Sequence, residues 1–419
     1  MDYVSSKNIC LLIRDTLKLI DRRPMDHGSR TGYLMIKMLM EKGGYEQFEL
    51  ADFLMVASVH DIGAYKTDDV GDKLQYEFKN YLPHSIYGFL FLKNLSPLAE
   101  KSRMILYHRL GYSKFQNIDF EYKFETSVLC LAEAVDIYHY AMGQTFDYKI
   151  FRKQEGTVYS KEALDLLDKA VETDPKIFEH LRDDSYQKEL DEILGYMIFP
   201  NEEKKRYMEM LMYCIGFRSE RCVVDSITTL SIVEELCELM HMSDSDKEML
   251  YYGSLLHDLG MLSVPKDIVE APRKLTDEEL ALMRGHVEKT EKILNNRLDR
   301  AVIEIAIAHH ERMDGSGYYR NLKEEEMNLA QCVLQVADVM TGLTAKRTFR
   351  DPFPKEKVID ILNADAATGK LKKEVVDVLV ENYDAIKERT DTEAAKIVDM
   401  YEDLQKKYEA VNASLSGRR

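Results

Sequence analysis

The sequence contains the same ordered set of histidine and aspartate residues twice. The segment "ASVHDIGAY" (57–65) has a counterpart in "SLLHDLGML" (254–262), and each places His-Asp before a glycine at the end of an apolar run. Successive members lie 24, 24 and 28 residues apart in the first copy and 29, 23 and 29 residues apart in the second. The members are His60, His84, His108 and Asp136 in the first copy and His257, His286, His309 and Asp338 in the second. Such a repeat predicts two copies of one structural unit.

Helical periodicity dominates the chain between these residues. Segments such as "EALDLLDKAVE" and "SIVEELCELMHM" carry apolar residues three and four positions apart, which is the spacing of an amphipathic helix. Alternating apolar and polar runs, which are typical of strands, are nearly absent. We therefore predict an all-α fold of two tandem helical domains packed against each other. Pro200 ends one helix and Asn201 begins the next, so the predicted domains span 1–198 and 199–419.

Composition narrows the class of protein. Hydrophobic residues make up 45% and charged residues 31%, which is typical of a soluble globular protein. The chain has no uncharged apolar run of about 18 residues, no signal-peptide pattern at its start and no CxxC pair among its six cysteines, so we expect a cytoplasmic protein that is not in a membrane. A net charge of -17 argues against a polymeric nucleic-acid partner. A small anionic ligand stays open, because bound metal ions can supply local positive charge.

The second copy has the residue types of a metal centre. A single histidine on an apolar helix is more often a core residue, but an ordered set that occurs twice favours metal binding. Imidazoles and carboxylates together suit divalent metals such as Fe, Mn, Ni or Zn, and one carboxylate can bridge two ions. Two ions suit phosphodiester hydrolysis, because they activate the attacking water and stabilise the charge on the phosphoryl oxygens. The candidate ligands are His257, Asp258, His286, His309, His310 and Asp338.

Three motifs in this half resemble a known family. "HDLG", "HHERMDGSGYYR" and "ADVMTGLTAKRTFRDP" resemble the HD-GYP branch of the HD-domain metal-dependent phosphohydrolases, over about residues 215–390. The segments "HGSR", "HDIGAY", "LPHSIYG", "LYHR" and "AEAVDIY" resemble a plainer HD domain, over about residues 25–175. The resemblance implies a helical protein that hydrolyses a cyclic dinucleotide such as c-di-GMP. It also implies two divalent ions per active site, Fe or Mn in the first place, with Ni, Zn or Mg as alternatives.

The resemblance assigns roles within the second copy. The six candidate ligands would be the metal ligands, with His257 and Asp258 as the catalytic pair. The loop after the His-His pair would form the substrate-facing lip of the site, and two arginines further along would face the phosphates. These substrate-binding candidates are Asp314, Gly315, Gly317, Tyr318, Tyr319, Arg347 and Arg350.

The second copy departs from the family pattern at four positions. Asp225 stands where the family has an early histidine, and we count it as a candidate metal ligand through its oxygens; Thr228 replaces the family's arginine. Met261 replaces the lysine after His-Asp-x-Gly, so a cation near the scissile phosphate is missing. Tyr319 replaces the proline of the GYP triplet, which we expect to loosen the loop and to add a stacking surface.

The first copy keeps the early histidine but lacks the loop. Arg109 replaces the second histidine of the pair, and Ala64 stands at the lysine position, with Lys66 two residues later. One metal would be held by His27, His60, Asp61 and Asp136, and a second by His84 and His108.

These departures leave three functions open. In the first, which we favour, the second half is the cyclic-dinucleotide phosphodiesterase and the first half is a regulatory or accessory metal domain. In the second, the second half is a binding module and hydrolysis belongs to the first half. In the third, the protein is a non-catalytic cyclic-dinucleotide receptor. The oligomeric state is also open, with a homodimer as one alternative.

Overall fold

The predicted all-α class is confirmed. The structure is a computed structural model that describes residues 3–20, 26–66, 82–346 and 350–416. Within these ranges the regular elements are α-helices and short 3₁₀ turns, and the only strand-like pairings are two isolated bridges. In the same ranges, no helix is both long and apolar enough to span a bilayer.

The chain divides into two compact units. The N-terminal unit consists of Ser6–Tyr207 together with the residues from Lys406 onward. The C-terminal unit consists of Met208–Gln405 together with the first described residues, up to Ser5. The domain limits of 1–198 and 199–419 stay a prediction.

Helices α1 to α10 precede the middle of the chain. Their bounds are α1 Ser6–Ile20, α2 His27–Lys42, α3 Gln47–Ser58, α4 Leu82–Leu95, α5 Ser102–Tyr107, α6 Tyr112–Phe115, α7 Lys123–Met142, α8 Lys161–Thr173, α9 Ile177–His180 and α10 Tyr186–Ile193.

Helices α11 to α21 follow. Their bounds are α11 Asn201–Cys214, α12 Glu220–Leu239, α13 Asp244–Leu256, α14 Lys266–Val269, α15 Asp277–Arg284, α16 His286–Leu294, α17 Arg300–Ala306, α18 Leu329–Thr344, α19 Lys355–Ala367, α20 Lys373–Glu381 and α21 Tyr383–Ser416.

The core of the C-terminal unit surrounds α18. Val333, Val336 and Met340 of this helix are fully buried against apolar residues of α12, α19 and α20. Each fully buried side chain of this size contributes about 1.5–3 kcal/mol. A capping box between Asn328 and Gln331 fixes the start of α18. The core therefore holds α18 in one rotation about its axis, and this rotation decides where Asp338 lies.

A glycine sets the position of the next helix after each His-Asp pair. The pairs lie between an α-helix, α3 or α13, and a 3₁₀ turn, Ile62–Tyr65 or Leu259–Ser263. A Cβ on Gly260 would lie 1.9 Å from the carbonyl oxygen of His286, and a Cβ on Gly63 would lie 2.1 Å from that of His84. Only glycine permits this approach, because any other residue would collide with the backbone. The glycine therefore brings the next histidine of each copy, His84 or His286, to the His-Asp pair.

Candidate metal centres

Helix ends and loops bring the ligand candidates of the C-terminal unit together. His257 caps the end of α13, Asp258 begins the following 3₁₀ turn, and His286 is the first residue of α16. His309 and His310 follow α17. Possible ligand atoms converge in two groups, His257 with Asp258 and His309, and His286 with His309 and His310. His309 belongs to both groups, so the two form one continuous cluster.

Asp258 presents its two oxygens to different histidines. Its Oδ1 lies 3.3 Å from Nε2 of His286 and 3.7 Å from Nε2 of His309. Its Oδ2 lies 3.6 Å from Nε2 of His257. A carboxylate in this position can contact two neighbouring ions, which is the role expected of a bridging ligand.

Three imidazoles are oriented by the backbone. In His257, His286 and His309, Nδ1 lies 2.6–2.7 Å from the carbonyl oxygen three residues earlier. Donation of the Nδ1 proton to that oxygen leaves the lone pair of Nε2 facing the cluster, as in many metal-ligating histidines. Nε2 of His286 and Nε2 of His309 are 3.1 Å apart. Two lone pairs this close fit a shared cation, so these residues suit a divalent metal.

His310 and Asp338 form the open side of the cluster. Nδ1 of His310 lies 3.2 Å from Oδ2 of Asp338, and these side chains are 25% and 20% exposed. Burial favours the neutral acid of Asp338, but the neighbouring imidazoles, His310 above all, outweigh it and hold the pKa of the carboxyl well below its usual range. Burial lowers the pKa of His309 and of His310, which favours the neutral imidazole that can bind a metal. His257, His286 and His309 are buried beneath this opening.

The structure does not bring Asp225 into this cluster. Its side chain is 15% exposed, and Oδ2 lies 3.6 Å from Nη1 of Arg221. Its carboxylate is close enough to Cys222 to help raise the pKa of that thiol, as Asp258 also does, although burial is the main cause. Asp225 therefore lies in the neighbourhood of the cluster, and its role as a ligand stays a prediction.

The loop after His310 returns to the cluster through Tyr318. The ring centroids of Tyr318 and His310 are 4.7 Å apart, and the guanidinium carbon of Arg284 lies 5.1 Å from the Tyr318 ring. Gly317 is required here, because a Cβ would lie 2.5 Å from Cα of Glu311. Tyr318 and Arg284 thus stand beside the open side of the cluster.

Two acidic residues shape the base of this loop. Glu311, which is buried, accepts hydrogen bonds from the backbone N–H groups of Arg320 (2.7 Å) and Leu322 (2.9 Å). Asp314 is exposed, and its Oδ1 accepts a hydrogen bond from the N–H of Ser316 at 2.9 Å, while Gly315 has a φ of +79°. Glu311 was not among the sequence candidates, although it directly follows the His-His pair.

Tyr319 contacts Glu291 and Arg320, and the expected loosening of the loop stays a prediction. Its φ of 93° is far from the value near −65° that a proline ring imposes, so a proline cannot adopt this backbone. Its hydroxyl contacts Glu291, and the guanidinium of Arg320 lies 5.6 Å from its ring. The expected stacking surface beside the cluster is provided by Tyr318.

The structure describes one of the two arginines that were predicted to face the phosphates. Arg347 lies outside the described residues. Arg350 donates from Nη2 to the carbonyl oxygen of Gly342 at 2.6 Å, and its guanidinium carbon lies 4.2 Å from the ring of Phe353. In this structure Arg350 therefore supports the end of α18, and phosphate binding by Arg350 stays a prediction.

The N-terminal unit builds a similar cluster around Asp61. Oδ1 of Asp61 lies 3.7 Å from Nε2 of His84 and 3.7 Å from Nε2 of His108. Oδ2 lies 3.7 Å from Nε2 of His60 and 3.8 Å from Nε2 of His27. Asp61 therefore has the same central position as Asp258 in the other unit.

Asp136 orients His27 and pairs with Arg30. Oδ2 of Asp136 lies 2.6 Å from Nδ1 of His27, and the guanidinium of Arg30 donates to both carboxylate oxygens at 2.6 and 2.9 Å. These contacts outweigh the effect of burial and lower the pKa of Asp136. The cluster of possible ligand atoms contains Glu133, one turn earlier on α7, together with His27, His60 and Asp61. Glu133 was not a sequence candidate, and its only signal is its i, i+3 spacing from Asp136.

Arg109 enters this cluster at the position that His310 has in the other copy. Its Nη2 lies 3.6 Å from Oδ1 of Asp61, and the same nitrogen contacts Glu133. Asp61 and Glu133 are both buried. The guanidinium thus places a fixed positive charge among buried carboxylates.

The chain is similar to an HD-domain family model and to curated phosphodiesterases. Residues 209–375 match the family model described as an HD domain. The 3'3'-cGAMP-specific phosphodiesterase 2 of Vibrio cholerae is 31% identical over 46% of this chain and 37% of that protein. The 3'3'-cGAMP-specific phosphodiesterase 1 of the same organism is 25% identical over 85% of this chain and 87% of that protein. A cyclic di-GMP phosphodiesterase of Thermotoga maritima is 33% identical over 35% of this chain and 40% of that protein.

A solved structure supports the fold over most of the chain. The crystal structure of a cyclic GMP-AMP specific phosphodiesterase of V. cholerae has a TM-score of 0.58, covers 91% of this chain and 98% of its own, and is 15% identical. At that identity the likeness concerns the fold alone. The matched family model and the curated relatives, which are named as phosphodiesterases, support the recognition of an HD domain of the metal-dependent phosphohydrolase type in residues 209–375.

Proposed function

We propose that the C-terminal unit is a phosphodiesterase that hydrolyses a 3',3'-linked cyclic dinucleotide at a two-metal site. The observation that carries the proposal is the placement of Asp258, with one oxygen facing His257 and the other facing His286 and His309. Two bound divalent ions would activate a water molecule and stabilise negative charge on the phosphoryl oxygens. The relatives named for c-di-GMP and 3'3'-cGAMP hydrolysis supply the substrate class.

The protein residues divide into ligands and substrate-facing groups. The buried Nε2 atoms of His257, His286 and His309 would hold the ions, with Asp258 between them. His310 and Asp338 would complete the set at the open side, where both are partly exposed to an incoming ligand. We propose Fe or Mn as the bound metal, since both accept mixed imidazole and carboxylate ligands.

Tyr318 and Arg284 would bind the nucleotide at the opening. The Tyr318 ring is partly exposed beside His310 and offers an aromatic face for a purine base. Arg284 is exposed two residues before His286 and lies over the same ring. Met261, at the position of the family's lysine, is apolar and buried. We therefore propose that Arg284 supplies the phosphate-facing cation that position 261 does not supply.

Hydrolysis by matched double variants tests the assignment. Full-length protein loaded with Mn²⁺ or Fe²⁺ would be incubated with c-di-GMP and with 3'3'-cGAMP, and the nucleotides would be separated by chromatography. We expect His257→Ala/Asp258→Ala to lose more than about 100-fold in rate, because loss of an outer partner of a ligand alone costs 10–100-fold.

The corresponding variant of the other unit is the control. His60→Ala/Asp61→Ala should retain hydrolysis of the same substrate. Loss of activity in this control alone would show that hydrolysis takes place in the N-terminal unit. Binding of the cyclic dinucleotide without turnover by the metal-loaded wild type would instead favour a receptor.

A further inference from the structure

We propose that the N-terminal unit holds a single divalent metal ion in a closed, structural site. The ligands are His27, His60, Asp61 and Glu133, and the guanidinium of Arg109 stands in place of a second ion. This site differs from the sequence prediction, which used Asp136 as a ligand and gave the unit two ions. The inference concerns the other unit of the chain, so it does not rest on the proposed hydrolysis.

A buried nitrogen atom points to a ligand in this cluster. His60 is 1% exposed, and its Nδ1 lies 2.6 Å from the carbonyl oxygen of Ala57. Donation by Nδ1 leaves Nε2 as an acceptor facing the cluster. This Nε2 atom has no hydrogen-bond partner among the described residues. A buried acceptor without a hydrogen-bond partner lowers the stability of the fold, and a bound metal ion would take the place of that partner.

The choice between the two carboxylates of α7 follows from their contacts. Both oxygens of Asp136 accept hydrogen bonds from Arg30, and one of them also meets Nδ1 of His27. Asp136 is therefore used to hold His27, whose Nε2 faces Asp61. The ligand atom of Glu133 lies within 4.8 Å of those of His27, His60 and Asp61. Asp136 acts as a positioning residue behind His27, and Glu133 is the ligand from this helix.

The net charge of the buried side chains in the cluster favours one bound ion over two. Among the described residues, the buried acidic groups of the cluster are Asp61, Glu133 and Asp136, and the guanidinium groups in contact with them are Arg30 and Arg109. These five groups leave one negative charge, which is costly to bury without a counterion. With one divalent ion the net charge of these groups becomes one positive. With two divalent ions it would become three positive, in a buried site. Arg109 therefore disfavours a second ion next to Asp61.

The ligands of this site are less exposed to solvent than those of the site in the C-terminal unit. The side chains of the four ligands of the N-terminal site are at most 9% exposed, whereas those of Asp258, His310 and Asp338 are 19–25% exposed. Structural metal sites are closed by protein ligands, and catalytic sites keep a position open for water or substrate. The ion of the N-terminal unit therefore stabilises that unit and has no position for substrate.

Metal content of the full-length protein tests the site. Wild type, His60→Ala/Asp61→Ala and Glu133→Gln would be loaded with Mn²⁺ or Zn²⁺, desalted and analysed by mass spectrometry of the metal. We expect each variant to hold about one ion per chain fewer than wild type. Glu133→Gln keeps the size of the side chain, so this variant still tests the site if the double variant does not fold. Equal metal content in wild type and a folded Glu133→Gln would overturn the site and favour a protonated His60 as the missing charge.

Two changes at Arg109 test the number of ions. Arg109→His restores a histidine pair next to His108 and removes the positive charge, so we expect about one ion per chain more than wild type. Arg109→Gln removes the charge without adding a ligand nitrogen and should bind fewer ions than Arg109→His. A loss of two ions per chain in His60→Ala/Asp61→Ala, or no gain in Arg109→His, would overturn the single-ion assignment.

A stability measurement separates a structural ion from an adventitious one. In a His257→Ala/Asp258→Ala background, which removes ligands of the other unit, addition of a chelator should lower the Tm. The same chelator should shift the Tm less when Glu133→Gln is added to that background. An unchanged Tm in both proteins would contradict a structural role. Hydrolysis measured on wild type is independent of these results, so failure of one proposal leaves the other testable.

Discussion

At the residue scale, orientation of the side chains decides which residues can bind metal. The order of His, His-Asp, His, His and Asp in the sequence predicted which residue types form the two clusters. It did not predict the orientation of the imidazoles, because the backbone carbonyls three residues before His257, His286 and His309 set the direction of their Nε2 atoms. Neither Glu311 nor Glu133 belongs to the repeated pattern. Their positions depend on loop closure and on helix rotation, which residue spacing does not encode.

Arg284 provides a prediction at this scale. We expect Arg284→Ala to raise the KM for a cyclic dinucleotide about 10- to 100-fold with a smaller change in kcat, because a charge-assisted hydrogen bond contributes about 1.5–3 kcal/mol. Steady-state kinetics with a 3',3'-linked cyclic dinucleotide would measure both constants. Arg273→Ala is the control, since Arg273 is exposed and its guanidinium pairs with Glu279. Equal KM values for the two variants would contradict phosphate binding by Arg284.

At the element scale, close contact between helices sets the geometry of each cluster. The helical periodicity predicted the class of fold, and the sequence placed a glycine after each His-Asp pair at the end of an apolar run. The role of this glycine is to admit the first turn of α4 or α16, because the distance from Gly63 or Gly260 to that backbone leaves no room for a side chain. This role depends on a contact between residues that are more than 20 positions apart, so the local sequence does not reveal it.

Gly260→Ala tests this contact. The new methyl group would collide with the carbonyl of His286 and force α16 away from Asp258, so we expect lower metal content in the C-terminal unit and a loss of about 1–3 kcal/mol in stability. Metal analysis and urea denaturation would measure the two effects. Gly342→Ala is a matched control, because a Cβ at Gly342 in α18 meets nothing within 4 Å and alanine favours a helix by up to about 1 kcal/mol. Full metal content in a folded Gly260→Ala protein would contradict the role of the glycine.

At the scale of the whole molecule, the chain repeats one arrangement with different chemistry in its two units. Asp61 and Asp258 have corresponding positions, each facing three or more imidazoles. The repeat in the sequence predicted this correspondence, because the histidines and aspartates occur in the same order at similar intervals. The difference at Arg109 and His310 was also visible in the sequence. The effect of this difference on the number of bound ions could be inferred only from the contacts of Arg109 with Asp61 and Glu133.

Calorimetry of the full-length protein tests whether the two centres stabilise separate units. Binding of an ion at 100 times its Kd stabilises the folded state by about 2.7 kcal/mol, which corresponds to a Tm shift of roughly 5–10 °C for a unit of about 200 residues. Because each cluster draws all of its ligands from one unit, Glu133→Gln should lower one unfolding transition of the metal-loaded protein, and His257→Ala/Asp258→Ala should lower the other. Glu162→Gln, at an exposed ion pair with Lys42, is the control and should shift either transition little. If both metal-site variants lowered the same transition by the same amount, the ions would stabilise one cooperative structure, and the assignment of one independent centre to each unit would be wrong.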